Sequence, residues 1–216
     1  MKNIISCIDL GIDYNTICEK VFKNKKHWIN RGVFDTFGAV CYIDNPEEYI
    51  NNKNKSNEIL ISEFADLYET LCDYFGADLN KDVAYPGFHI FNQWNKDVEA
   101  DFHFDIAYKT LPIYKKSFSN HQSFTIAIKK PKVGAGLNVW ENININKISK
   151  KELNLYSENP LVMGKPSYIE YDLGKMYLHN GETLHQIANT GGFTDEYRIT
   201  LQGHIIQDGG KKYLYF

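Results

Sequence analysis

From Ala84 onward the chain breaks into short runs in which apolar and polar residues alternate, separated by Gly, Asn, Asp and Pro. The runs are YPGFHIFN, HFDIAY, HQSFTIAIKK, GLNVWE, SYIEYD, KMYLHN, TLHQIAN and YRITLQGHII. Alternation with period two, rich in aromatic and β-branched residues, predicts strands. About eight short antiparallel strands without helices between them predict a jelly roll or closed sandwich. The first part of the chain has a different texture. It predicts a helix over Tyr14 to Lys23, a short strand FGAVCYID from Phe37, and a longer helix from about Asn57 to Phe75. In that last segment Ile59, Ile61, Phe64, Leu67, Leu71 and Phe75 recur mostly every three or four residues, and Gly76 is a C-terminal stop. Between strand and helix, NNKNKSN reads as a mobile polar loop, and Asn142 to Asn159 reads as an insertion loop with one helical turn at SKKELNLY.

Length and composition narrow the picture. At 216 residues the chain suits one domain, with residues 1–83 as a helical or mixed support and 84–216 as a β-barrel core. Aromatic residues make up 14% of the chain, which suits a strand-rich fold. The formal charge of -3 supplies no broad basic field, so nucleic acid is not the expected partner. Cys7, Cys18, Cys41 and Cys72 show no metal spacing and read as reduced thiols. The N-terminal run IISCIDLGI is too short to span a bilayer, is broken by Asp9, and lacks a secretory pattern. A cytoplasmic protein without membrane contact is the expectation.

Candidate chemistry begins at His103 and Asp105, two apart in a strand-like run, so both side chains share one face with Phe102, Phe104 and Ile106 on the other. By itself this pair is a weak signal. The second half of the pattern strengthens it: His185 lies in TLHQIAN, and Arg198 opens RITLQGH thirteen residues later. Two imidazoles and one carboxylate bind one face of a six-coordinate Fe(II) and leave the opposite positions open. On the last strand Arg198, Thr200, Gln202 and His204 alternate against Ile199, Leu201, Gly203 and Ile205. An inward guanidinium requires an anion, and its planar fork suits a carboxylate.

In these residues the chain resembles the Fe(II)/2-oxoglutarate-dependent dioxygenases, with His103-Phe104-Asp105, a distal His185, and the pair Arg198 and Thr200 in order and spacing. The match covers about Ala84 to Ile206 and rests on five residues. The resemblance implies a mostly β, double-stranded β-helix (jelly roll, cupin-like) with flanking N-terminal helices. It further implies Fe(II), 2-oxoglutarate and O2 as cofactors, with Arg198 and Thr200 on the distal carboxylate of 2-oxoglutarate. The implied reaction hydroxylates a C–H bond of a small molecule, such as an amino acid or natural-product intermediate, while 2-oxoglutarate becomes succinate. Asp105 argues against halogenation, and Arg198 in place of Lys points away from collagen-type prolyl hydroxylases.

Other residues are secondary candidates. His179 competes with His185 as the distal ligand, but it adjoins the turn Asn180-Gly181. Asn92 is a candidate cosubstrate contact, and His89, Asn138, Trp140 and His204 are candidate pocket residues, each with ordinary packing or hydrogen bonding as the alternative. Tyr108 falls on the opposite side of an ideal strand from the ligands, and Trp28, Asp35 and Trp94 have no assigned role. Rival functions are a cupin-like metalloenzyme without 2-oxoglutarate, a peptide side-chain hydroxylase, and a non-catalytic binding barrel.

Overall fold

The computed structural model describes residues 5–94, 100–111, 113–188, 192 and 194–216; Asn189, at the end of the TLHQIAN run, lies outside them. Strands β1 (Ser6–Asp9), β2 (Ile29–Asn30), β3 (Asp35–Phe37), β4 (Ala77–Leu79) and β5 (Gly87–Phe91) precede the chain's midpoint, and β6 (Ser119–Lys129) opens the second half. They are followed by β7 (Leu137–Asn144), β8 (Ser167–Ile169), β9 (Lys175–His179), β10 (Thr183–Ile187), β11 (Arg198–Asp208) and β12 (Lys211–Tyr215). The large sheet runs β1-β9-β6-β11-β5-β3-β2, and the small one runs β10-β7-β8. On one edge of β11, β5 pairs with Arg198–Gln202 and β12 continues along His204–Asp208. The sheets meet through Leu137 and Val139 of the small one and Ala127 and Tyr177 of the large one. The arrangement is the double-stranded β-helix expected.

Alternation on β11 decides what each face touches. Ile199, Leu201 and Ile205, with Phe88, Ile90, Phe124 and Ile126 of the neighbouring strands, pack against helices α1 (Tyr14–Lys23), α2 (Pro46–Glu63) and α3 (Ala65–Phe75). Burying that face drives the helices onto the sheet. The opposite face of β11 carries Arg198, Thr200 and His204, all buried, into the barrel. Register brings Thr200 beside His89 of β5, and His204 beside Ser123 of β6 and Tyr215 of β12.

Several local expectations require correction. NNKNKSN is helical, inside α2, because Asn45 and Glu48 form a capping box with Pro46 in the first turn. Its polar Asn57 is buried and bonds the backbone of Val83 and Tyr85. The helix expected from Asn57 to Phe75 is two helices broken at Phe64, and Leu60 faces the core while Ile61 is exposed. Gly76 does terminate α3, in the left-handed conformation. FGAVCYID is strand only to Phe37; Asp44 folds the remainder into a turn by accepting the Val40 N–H and pairing with Arg31. The insertion at Asn142 to Asn159 contains the end of β7 and a capped helix α4 (Lys150–Glu158).

Candidate metal centre

The run HFDIAY is not a strand. His103 makes one antiparallel bridge to His185, exchanging both backbone hydrogen bonds, at 2.8 and 3.1 Å. The Asp105 N–H then bonds the Gly181 carbonyl at 2.7 Å, and the chain turns into a short 3-10 segment at Ala107–Thr110. The single bridge is enough to set both imidazoles toward Asp105. Phe102 and Phe104 pack on the other side against Trp140 and Leu184.

One donor atom each from His103, Asp105 and His185 lies within 4.8 Å of the others. His103 Nε2 is 3.6 Å from Asp105 Oδ1, and His185 Nε2 is 3.4 Å from Asp105 Oδ2. Two ligands about 2.1 Å from one ion and at right angles sit about 3 Å apart, so this set needs only slight contraction to close on a divalent cation. The ring tautomers suit the task. His103 Nδ1 faces the Asp101 carbonyl at 3.0 Å and His185 Nδ1 faces the Thr183 carbonyl at 2.8 Å. A carbonyl only accepts, so both Nδ1 atoms carry hydrogen and both Nε2 lone pairs point at the shared site.

His179 is oriented the other way. The Gly181 N–H donates to its Nδ1 at 3.1 Å, which leaves hydrogen on Nε2, 3.7 Å from Asp105 Oδ2. It supports the carboxylate and offers no lone pair to a metal. Electrostatics agree with this division. Burial opposes charge on Asp105, but His185, His204 and His103 hold its carboxyl well below the usual range. Burial lowers His185, and Asp105 more than offsets it, leaving His185 raised. Burial and then His185 push His103 down. Asp105 thus favours a proton on His185, which a bound cation would displace.

Arg198 is 1% exposed. Its contacts are a long hydrogen bond from Nε to the Ala135 carbonyl at 3.5 Å, one from Nη1 to Thr200 Oγ1 at 3.4 Å, and the face of Phe91 at 5.5 Å. Among the described residues no carboxylate pairs with it. Burial pushes its pKa down to about 10, which Tyr171 partly counters. Tyr171 is itself pushed up to about 12 by burial, against the pull of Arg198 and of the nearby Thr125 hydroxyl. Alternation alone did not single out Tyr171 or Thr125.

The secondary candidates separate. His89 is buried in the barrel beside Thr200, and its Nε2 meets the Tyr42 hydroxyl at 3.0 Å. His204 is buried there too, with Nδ1 2.9 Å from Ser123 Oγ. Asn92 is exposed past the end of β5, away from the buried group. On β7, Val139 pairs with His185 while Asn138 and Trp140 pair with Gln186 and Leu184, so the two candidates face away from the ligands. Trp140 donates to the Gly164 carbonyl within an outer apolar cluster. Tyr108, freed from strand geometry, lies against His121 with ring centres 4.9 Å apart.

No family model and no curated protein matches this chain by sequence. Solved structures do match by fold. One is an N-substituted L-amino acid dioxygenase from Burkholderia ambifaria in complex with alpha-KG, at TM-score 0.57 and 16% identity, covering 78% of this chain and 69% of that one. Another is HygX from Streptomyces hygroscopicus with nickel and 2-oxoglutarate bound, at TM-score 0.54 and 12% identity, covering 93% and 82%. The same protein with hygromycin B also bound matches at TM-score 0.52 and 10% identity, with the same coverage. This chain therefore shares the fold of structures that hold 2-oxoglutarate, a dioxygenase among them.

Proposed function

We propose that the chain is a non-haem Fe(II)/2-oxoglutarate-dependent oxygenase that hydroxylates a small molecule. The observation that carries this reading is Arg198: a buried guanidinium on the inner barrel face, lacking a carboxylate partner among the described residues, with a two-histidine, one-carboxylate set in the same barrel. A metal alone would account for the triad and leave Arg198 uncompensated; a dicarboxylate accounts for both. His103, Asp105 and His185 would hold the metal, with their Nε2 atoms exposed to it by Asp101 and Thr183. His179 steadies the Asp105 carboxylate from behind. Arg198 and Thr200 receive the distal carboxylate, with Tyr171 and Thr125 beside them. The bound iron supplies oxygen activation coupled to decarboxylation of the oxoacid, and the protein supplies position and a dry cavity. The dioxygenase and HygX structures, with their bound oxoacid, support this cofactor assignment.

Anaerobic addition of Fe(II) and 2-oxoglutarate to metal-free protein tests the proposal. A visible charge-transfer band is expected, absent in His185→Ala and weakened in Arg198→Ala. Folded protein that binds iron without the band would favour a metalloenzyme that does not use 2-oxoglutarate.

A further inference from the structure

Beyond the triad lies a second constellation with no role in holding metal or oxoacid. Four rings form a column inside the barrel: Tyr108 against His121 at 4.9 Å, His121 against His204 at 5.5 Å, and His204 against Tyr215 at 4.9 Å between centres. His204 is anchored by Ser123. Its neighbours are not. The buried side-chain polar atoms without a hydrogen-bond partner among the described residues are Nδ1 and Nε2 of His121 and the hydroxyl of Tyr215. Tyr215 is 1% exposed. The Asn180 carbonyl interacts with one ring nitrogen of His121, outside tight hydrogen-bond range, and favours hydrogen on it, which leaves the other nitrogen as an acceptor. Buried polar atoms are nearly always satisfied, so the Tyr215 hydroxyl and the remaining ring nitrogen of His121, on rings with centres 6.2 Å apart, call for a common partner.

The column adjoins the proposed metal. A Cβ on Gly181 would come 2.5 Å from His121 Cε1 and 2.9 Å from the Asp105 carbonyl oxygen, and Gly181 has φ +69. Only glycine lets the imidazole settle beside the metal carboxylate's backbone. A groove of about 390 Å³ borders His121, and its walls include Gln122 and Ile205 of the opposite sheet face with Asn120, Asn180 and Lys212. Arg198 and His204 share one face of β11 six residues apart, about 20 Å at roughly 3.3 Å per residue, so the column stands well away from the anion end.

We propose that this column is the substrate subsite and that it receives an uncharged hydroxyl or carboxamide group of a small polar molecule. The proposal rests on the oxygenase reading for its link to catalysis. Its chemistry follows from the inventory of the rings. A neutral imidazole offers one donor and one acceptor, and a phenol offers both. A carboxylate only accepts and an ammonium only donates, so each would leave one of these atoms unmatched. Burial, which pushes His121 down to about 3 and also lowers His204, keeps the rings neutral.

The test uses four matched probes, benzamide, benzyl alcohol, benzoate and benzylamine, at millimolar concentration against full-length protein, with binding read by saturation-transfer NMR. The amide and the alcohol are expected to bind and the charged pair to fail. Tyr215→Phe, which removes one oxygen, should weaken the amide and alcohol by about tenfold, and His121→Phe should do the same. Preference for a charged probe, binding of none, or indifference to both substitutions overturns the subsite; in the last case water alone satisfies the rings. The iron and 2-oxoglutarate band, expected to persist in Tyr215→Phe, reads the metal centre separately. A protein with the band but without probe selectivity loses the subsite alone. Selectivity without the band leaves a ligand site and overturns its role in oxygenation.

Discussion

Replacing Arg198 with Met should stabilise the ligand-free protein and abolish its response to 2-oxoglutarate. The guanidinium is 1% exposed, and burial takes its pKa down to about 10. Against an ordinary value above about 12, at about 1.4 kcal/mol per decade, the buried charge costs on the order of 3 kcal/mol. Two hydrogen bonds at 3.5 and 3.4 Å and the Phe91 face offset part of that. A net gain of about 1–2 kcal/mol is therefore expected for Met, which fills similar volume without charge. For a chain of this length that corresponds to a rise in Tm of roughly 3–6 °C.

Ligand should reverse the order. With a redox-inert divalent metal and 2-oxoglutarate at about a hundred times Kd, the wild type gains about 2.7 kcal/mol by mass action. The variant, lacking the fork, gains only what the metal provides. The sign with pH is fixed by the depressed pKa: the cost is present below it and is relieved only as pH rises through about 10, so the contrast holds throughout the neutral range. Thermal unfolding of both proteins, with and without ligand, is the assay. A ligand-free variant that melts several degrees below wild type would show that the guanidinium is already paired and awaits no anion. Equal shifts of both proteins by 2-oxoglutarate would place the carboxylate elsewhere.

Three further outcomes follow from the same interior. Burial pushes His89, His121 and His179 down to about 3, so acid must charge them preferentially in the unfolded chain. From an ordinary pKa of about 6.5, each loses about 1 kcal/mol between roughly pH 6.5 and 5.5, about 3 kcal/mol together, and stability falls as pH falls. Urea midpoints at those two pH values check this, and equal midpoints would contradict the buried, neutral assignment. Tyr215→Phe should leave ligand-free stability unchanged or raise it by about 1 kcal/mol, because an unpaired buried hydroxyl is removed; a clear loss in chemical denaturation would reveal a partner. His179→Phe should weaken metal binding by about 10- to 100-fold through Asp105, whereas His185→Ala should abolish it. Competition titration against a chelator distinguishes these, and the opposite ranking would exchange the two histidines' roles.

Much of the barrel was legible because period two survives tertiary folding. RITLQGH divides into a polar and an apolar face in the chain as it does in β11, and HQSFTIAI carries His121, Ser123 and Thr125 on one side. What failed was phase and continuity. On β7 the alternation is unmistakable, yet which set faces His185 depends on register, and Val139 rather than Asn138 or Trp140 takes that place. HFDIAY satisfies strand spacing, but only His103 is paired, so an ideal strand sets Tyr108 opposite the ligands whereas it packs against His121. The first part of α2, before Asn57, escaped notice because the helix buries Ser56 and Asn57 through hydrogen bonds as well as Tyr49 and Leu60 through apolar contact. Polarity then mimics a loop. Tyr215 and the turn holding Tyr42 lay outside any motif, since their positions depend on β12 pairing with β11 and on the Arg31–Asp44 pair.

The inner face of β11 carries two opposed demands on one strand. At Arg198 and Thr200 it presents an uncompensated positive charge, and at His204 it presents neutral rings whose open atoms both donate and accept. A dicarboxylate placed at the column would set a charge against the bare imidazole acceptor, far from the only buried guanidinium among the described residues that lacks a carboxylate. A neutral molecule placed at Arg198 would leave that charge without an anion. Each end thus rejects the other's ligand by the unpaired group it would create, which discriminates more strongly than a loss of contact area does. The proposed metal ligands, with Asp105 influenced by His204 and His185 bridged to His103, lie between the two proposed occupants. Orientation of both reactants at the metal is then a property of the strand's polarity, and exchanging Arg198 for a neutral residue should cost binding order as well as affinity.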